Sequence, residues 1–235
     1  MPFITRNRFL QRLVGGSFFE RTYLNSISCV QLMFMKAHKN PELVKLIRSS
    51  RRGRQSLQTA YEQYFVYTFA SGCMHLPGVI AEVGVYQGVS ARLLCDLKKD
   101  KPLHLFDTFE GLPKSHEKDR TVHRENQFAA SLESVQDFLK DFDNVHYHKG
   151  HFPDSAADFH EDKVCFAHFD VDLYQSTLDC LKHFYPKMAP GGIMLSHDYS
   201  ILSGVKDACH EFFADKPEPI IELPSTQCMI IKAAG

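Results

Sequence analysis

A chain of 235 residues that is 44% hydrophobic can bury a substantial core, and it sits near the upper end of what one α/β domain holds. With 27 basic against 28 acidic residues the formal charge is −1, which gives no general attraction for nucleic acid or acidic membranes. The seven cysteines are odd in number and carry no C-x-x-C pair, which argues against a disulfide framework or zinc site and for reduced thiols in the cytoplasm.

The start, "MPFITRNRFLQRLVGGSFFE", has arginines and a short apolar patch but no continuous signal-peptide core. No run approaches about 18 apolar residues, so no membrane span is expected. From 20 to 75 the pattern is helical: "NPELVKLIRSS" and "LQTAYEQYFVYTFASG" repeat apolar residues at three and four. The basic "RSSRRGRQS" between them reads as a solvated loop, with contact to an anionic ligand as the alternative.

After Pro77 short β-rich runs alternate with helical ones, as in a parallel sheet with crossover helices. "GVIAEVGV" reads as the first strand and "VSARLLCDLKK" as its helix. "LHLFDTF" is the second strand, followed by the polar "KSHEKDRTVHREN" and a helix at "SLESVQDFLKDF". "NVHYHKG" and "KVCFAHFDV" are the third and fourth, "STLDCLKHFYPKM" a helix, "GGIMLSHDY" the fifth, and "GVKDACHEFFAD" its helix. "PIIEL" and "QCMIIKA" around a "PSTQ" turn close the sheet as an antiparallel hairpin. That ending suits a Rossmann-like methyltransferase sheet, whereas a nicotinamide enzyme would favour a purely parallel one. The expected layout is an N-terminal helical extension or lid over 1–76 and a Rossmann-like core over 77–235.

Ligands of open α/β sheets sit at the carboxyl ends of the strands, and acids gather at those ends here. "EVGVYQGVS" places Glu82, Gly84 and Gly88 at a strand-to-helix turn, where glycines admit a ligand to the backbone. Tyr at position 86 breaks the G-x-G-x-x-G fingerprint, and Glu82 would repel phosphate while attracting a sulfonium or ammonium. Asp107 follows Glu82 by 25 residues, near the offset of ribose-binding acids, or it caps the next turn. Phe109, Gly150 and Phe152 could border an adenine. Asp170, His197 and Asp198, at the ends of adjacent strands, could share a divalent cation, Mg2+ or Mn2+, while a helix-capping role for Asp198 stays open. Asp172 is expected to cap the following helix. The other histidines and the cysteines show no zinc or nucleophile pattern.

In order and interval, "AEVGVYQGVSARLL", "LFDTFEGLP", "FDVDLYQSTLDCLKHFYPKMAPGGIMLSHDY" and "GVKDACHEFF" resemble the macrocin O-methyltransferase family of S-adenosylmethionine-dependent enzymes, over residues 79 to 214. The resemblance implies a class I methyltransferase acting on a hydroxyl of a small molecule, such as a sugar or natural product. It implies that Glu82, Gly84 and Gly88 border the methionine part of the cofactor and that Asp107 holds its ribose. Tyr86, Ser90, Phe109, Gly150 and Phe152 are further candidate cofactor contacts. Asp170 is implied as cofactor neighbour, metal ligand and general base, with His197 and Asp198 completing the metal set. The family usually carries two consecutive aspartates where this chain has His then Asp. The N-terminal portion shares no such likeness, so the acceptor does not carry over. A hydroxylated small molecule is the expected partner, nucleic acid and membrane are not, and a homodimer is allowed for. An NAD(P)-dependent oxidoreductase or epimerase, or a non-catalytic cofactor-binding relative, remain the alternatives.

Overall fold

The structure is a computed structural model that describes residues 18–114, 117–119 and 125–234. The first 17 residues and much of the "KSHEKDRTVHREN" stretch lie outside the described residues.

Among the described residues three helices come first: α1 (Phe18–Met35), α2 (Pro41–Ser50) and α3 (Ala60–Cys73). The Asn40 side chain accepts from Glu42 N to start α2, and Pro41 occupies the first turn, where its missing N–H costs nothing. Thr59 and Glu62 form a reciprocal capping box at the start of α3. Val66, Ala70 and Cys73 of α3 join the same apolar cluster as Ile80 and Leu105, so this helix covers one face of the sheet rather than standing apart.

The core then alternates β1 (Val79–Val83), α4 (Val89–Leu97), β2 (Leu103–Asp107), α5 (Leu132–Leu139), β3 (Val145–Lys149), β4 (Val164–Phe169), α6 (Tyr174–Phe184), β5 (Met188–Ser196) and α7 (Ser203–Phe213). It ends in β6 (Ile221–Glu222) and β7 (Cys228–Ile231). The seven strands lie in the order β3-β2-β1-β4-β5-β7-β6. The first five are parallel, and β7 runs antiparallel to both β5 and β6, as the hairpin expectation requires. Every residue of β1 and β4 is buried, which explains their apolar text, broken only by Glu82 and His168. The other face of the sheet carries Phe106, Phe159, Phe169 and Phe184, packed edge to face and stacked.

At the carboxyl ends of β1 and β4 the backbones nearly touch. Gly84 has φ +86°, and a Cβ there would overlap the Asp170 carbonyl oxygen, so no other residue fits. Asp170 N donates to Val83 O at 2.9 Å and His197 N to Phe169 O at 2.8 Å, which extends the ladder one residue past each strand. Among the described residues no helix is long and apolar enough to cross a membrane.

The β2–β3 side of the sheet carries a stack of imidazoles, of which His104 is buried, His148 half-buried and His146 exposed. His104 Nδ1 lies 3.0 Å from His148 Nε2, and its ring stacks on His146 at 4.7 Å between centroids. Burial first, then the neighbouring His146 and His148, push His104 down to about 4, with Glu161 3.8 Å from its Nε2. The unfolded chain takes up this proton near pH 6.5 and the folded one only near 4, so the unfolded state binds more protons between them. Stability at this residue is therefore full above pH 6.5 and declines as pH falls toward 4. Urea midpoints measured between pH 7.5 and 4.5 should drop less steeply for His104→Phe than for the parent chain; parallel profiles would remove His104 from this role.

Candidate active site

A cavity of about 470 Å³ opens at the carboxyl ends of the parallel strands, a volume suited to a small molecule. Its lining includes Gly84, Tyr86 and Ser90 from the turn after β1, Asp107 of β2, and Gly150 and Phe152 after β3. Asp170 and Asp172 after β4, and His197 and Asp198 after β5, complete that floor. Residues 55–59 and Glu62 form the opposite wall. Two arginines of the basic loop brace this wall instead of standing free in solvent: Arg51 Nη1 donates to Gln58 O at 2.7 Å, and Arg54 Nη1 to Ser134 Oγ at 2.8 Å. The Tyr86 hydroxyl donates to Gln55 Oε1 at 2.9 Å, and Gln55 N to Gln87 Oε1 at 2.7 Å, which ties the wall to the turn after β1.

Asp107 organises that turn. Its Oδ2 accepts from Val85 N at 2.7 Å and Tyr86 N at 2.9 Å, and its Oδ1 accepts from Phe109 N at 2.7 Å. The turn-capping role is therefore real, and the carboxylate still faces the cavity with lone pairs to spare.

Glu82, Gly88 and Phe109 are not among the lining residues. Glu82 is fully buried, because the parallel register sets it beside His168 of β4; its Oε1 lies 2.8 Å from His168 Nδ1. Gly88 is the left-handed N-cap of α4, close to Val135 and Phe138. Phe109 turns inward to the cluster that contains Val85 and Leu105.

Asp170 is held from two sides. Gln58 Nε2 donates to its Oδ2 at 2.8 Å, and the same nitrogen lies 3.4 Å from His168 Nε2. A donating amide makes His168 Nε2 the acceptor, so His168 Nδ1–H donates to Glu82 and the chain Glu82–His168–Gln58–Asp170 is consistently oriented. On the other side, His197 Nδ1 stands 3.2 Å from Asp170 Oδ1 and 3.1 Å from Asp198 Oδ1. His197 Nε2 faces Glu62 Oε2 at 3.5 Å and Thr226 Oγ1 at 3.3 Å.

Four carboxylates around one imidazole set the electrostatics. Burial alone would push His197 down, but Asp170, Asp198 and Glu62 outweigh it and hold it well above its ordinary value. Burial is the largest influence and would raise Glu62 and Asp170, but the His197 charge together with the hydrogen bonds each carboxylate accepts outweighs it and lowers both. Asp172 goes the other way: burial, then the nearby Asp198 and Asp170, push it well above the usual carboxylate range.

The expected capping role of Asp172 is corrected. The N-cap of α6 is Leu173, which offers no side-chain acceptor, and Tyr174 N donates instead to Asp119 Oδ1, far away in sequence. Asp172 and Asp198 both take left-handed backbone angles, φ 58° and 61°, which aspartate tolerates better than most residues. That conformation returns both carboxylates to the cavity instead of the helix ends. Gln58, Glu62, His168 and Thr226 had no assigned role in the sequence reading. The Thr59-x-x-Glu62 spacing was a readable capping signal; nothing local marks the other three.

The donor set fits a divalent cation. One ligand atom each from Asp170, His197 and Asp198 lie within 4.8 Å of one another. His197 Nδ1 is buried and makes no contact of hydrogen-bond geometry, although it stands beside two carboxylate oxygens. Without a cation the raised pKa leaves a proton on Nδ1 between the two carboxylates, and a divalent cation would take that proton's place on the nitrogen lone pair.

Known proteins bear on this geometry in two ways. A "Demethyldecarbamoylnovobiocin O-methyltransferase" from Streptomyces niveus is 30% identical over 156 residues, covering 60% of this chain and 60% of that protein. An "8-demethyl-8-(2,3-dimethoxy-alpha-L-rhamnosyl)-tetracenomycin-C 4'-O-methyltransferase" from Streptomyces olivaceus is 31% identical over 183 residues, 70% of this chain and 69% of that one. The match to the first thus spans about three fifths of its length. Among solved structures, the O-methyltransferase NovP superposes with a TM-score of 0.71 at 22% identity, over 92% of this chain and 100% of its own. The sequence profile described as Macrocin-O-methyltransferase (TylF) matches residues 55–228, which take in the wall, the turn after β1 and all three cation donors, and the chain belongs to that family.

Proposed function

We propose that this protein is an S-adenosylmethionine-dependent O-methyltransferase acting on a hydroxyl of a small molecule of the sugar or natural-product class. The observation that carries the reading is one cavity that holds Asp107 at one end and the Asp170, Asp172, His197 and Asp198 cluster at the other. Family membership supports it, as does the name of the Streptomyces olivaceus relative, which specifies a 4'-O-methylation of a rhamnosyl compound. The nicotinamide alternative gains nothing, since Tyr86 occupies a fingerprint glycine position at the cavity.

S-adenosylmethionine supplies a methyl group on a positively charged sulfur. In this reading Asp107 accepts from the ribose hydroxyls, while Gly84, Tyr86, Ser90, Gly150 and Phe152 border the rest of the cofactor. Glu82, Gly88 and Phe109 support the cofactor turn from beneath. A divalent cation held by Asp170, His197 and Asp198 would supply charge that lowers the pKa of the acceptor hydroxyl.

The acceptor oxygen attacks in line, a C–O bond forms as the S–C bond breaks, and the hydroxyl proton leaves to a carboxylate. The sequence assigns that proton to Asp170. Asp170 already has Gln58 on one oxygen and His197 beside the other. Asp172, two residues on and lining the same cavity, has neither partner and is the more basic carboxylate once ionised, which makes it the acceptor in this reading and Asp170 the anchor. The products are a methyl ether and S-adenosylhomocysteine.

Calorimetric titration with S-adenosylhomocysteine tests the cofactor half. Asp107→Ala should weaken binding at least tenfold, since a hydrogen bond to a charged group contributes about 1.5–3 kcal/mol; because the change also removes three turn hydrogen bonds, melting temperature is read in parallel and binding is compared below the transition. No binding by the parent chain, together with no effect of Asp107→Ala on any ligand, ends the reading. Asp172→Asn should keep cofactor affinity and lower methylation of a panel of glycosylated and hydroxylated acceptors by about 100-fold or more. If Asp170→Asn removes turnover and Asp172→Asn does not, the proton belongs to Asp170.

A further inference from the structure

We infer that the cation site is built for a first-row transition metal in preference to Mg2+, with His197 Nδ1 as a nitrogen ligand and Glu62 as the carboxylate that orients it. This rests on the methyltransferase reading only for what the cation does; the selectivity follows from the donors themselves.

Two metal–ligand bonds of about 2.1 Å at a right angle place their donor atoms about 3.0 Å apart. His197 Nδ1 stands 3.2 Å from Asp170 Oδ1 and 3.1 Å from Asp198 Oδ1, close to that octahedral edge, and without hydrogen-bond geometry to either. The imidazole is 94% buried and its side chain can present Nδ1 only because its far nitrogen is committed elsewhere.

That commitment is the second observation. Metal-bound histidines characteristically donate their other ring N–H to a carboxylate, which fixes the tautomer and the ring plane. Here Nε2 stands 3.5 Å from Glu62 Oε2 as a charge contact, and its hydrogen-bond partner is the Thr226 hydroxyl at 3.3 Å, which itself donates to Glu62 Oε1, so the carboxylate acts on the ring largely through Thr226. Glu62 is itself 3% exposed and tightly held: Oε2 accepts from Thr59 N at 2.6 Å, and Oε1 accepts from the Thr226 hydroxyl at 2.7 Å. A capping residue of α3 has been drawn across the cavity into a carboxylate–imidazole pair. A site of three carboxylates would have no need of it, since oxygen ligands require no tautomer to be set.

Imidazole nitrogen suits Co2+ and Zn2+ and is accepted by Mn2+, whereas Mg2+ prefers an all-oxygen octahedron and sheds water reluctantly. Affinity should therefore rise in the order Mg2+, Mn2+, Co2+.

The test uses the full chain, stripped with chelator and titrated calorimetrically with MgCl2, MnCl2 and CoCl2, without cofactor or acceptor. Mn2+ and Co2+ should bind at least ten times more tightly than Mg2+, and bound Co2+ should show a visible absorption band altered by His197→Asp. His197→Asp should narrow the gap by strengthening Mg2+ and weakening Co2+. Glu62→Gln should weaken Co2+ by about 10- to 100-fold. Because Glu62 also caps α3, its melting temperature is read in parallel, and His197→Asp decides the matter where Glu62→Gln fails to fold. Mg2+ binding as tight as Co2+ overturns the inference. So does an order unchanged by His197→Asp, which places the bound metal elsewhere, or no divalent binding at all, which leaves His197 as a built-in counter-ion. S-adenosylhomocysteine titration of the same variants separates the two readings: retained affinity there with failed metal selectivity sinks only this one.

Discussion

The carboxylate of Asp170 is the constraint around which the site is assembled. It stands where a fully buried strand ends, with its backbone sealed against β1 and its carbonyl oxygen in the space that a side chain at position 84 would need. An unpartnered carboxylate there would cost several kcal/mol or take up a proton. The fold avoids this by bringing partners from three places: Gln58 from the N-terminal wall, His197 from the end of β5, and the Glu82–His168 pair beneath. The helical extension is therefore not an accessory to a finished core. Gln58 and Glu62 both lie in it, and without them Asp170 and His197 would each lose a buried partner.

The polar groups fall into two connected layers. The lower one, Glu82 to His168 to Gln58, is buried and reaches the cavity only at Gln58; its effect is to aim one amide at one oxygen of Asp170. The upper one, Thr226 to Glu62 to His197, aims one imidazole nitrogen at the other. Buried ion pairs are weak sources of net stability, but removing one partner strands the other, so they fix an arrangement strongly. Asp170 is thereby more constrained than Asp172. Asp172, on a left-handed residue and without such clamps, is left free to exchange a proton.

Much of the fold was legible because buried parallel strands announce themselves as short apolar runs broken by turn residues, and the closing hairpin has its own turn signal. The site was legible to the extent that it obeys the rule placing ligands at strand ends, which is why Asp107, Asp170, His197 and Asp198 could be picked out. Where placement differs from expectation, the causes are physical. Glu82 lies one strand position short of the exit, and only the β1–β4 register reveals that it faces His168. Asp172 looked like a cap because it precedes a helix; a positive φ turns it away, and the distant Asp119 takes over. Gln58 meets Asp170 across 112 residues of chain, and no local pattern encodes such a pairing.

The substitution of histidine into a carboxylate cluster also changes how the cavity sorts ligands. With Asp170, Asp172, Asp198 and Glu62 around His197, acidic groups outnumber the single imidazole whatever its protonation. A low-dielectric pocket focuses that excess of negative charge. Phosphate-bearing dinucleotides meet repulsion in such a field, while a sulfonium and a divalent cation are both drawn in. The mutual repulsion that pushes Asp172 upward is the same excess seen from inside the protein, and a cation among the three donors relieves it. In the proposed function, cofactor choice, cation binding and proton acceptance would thus share one electrostatic origin.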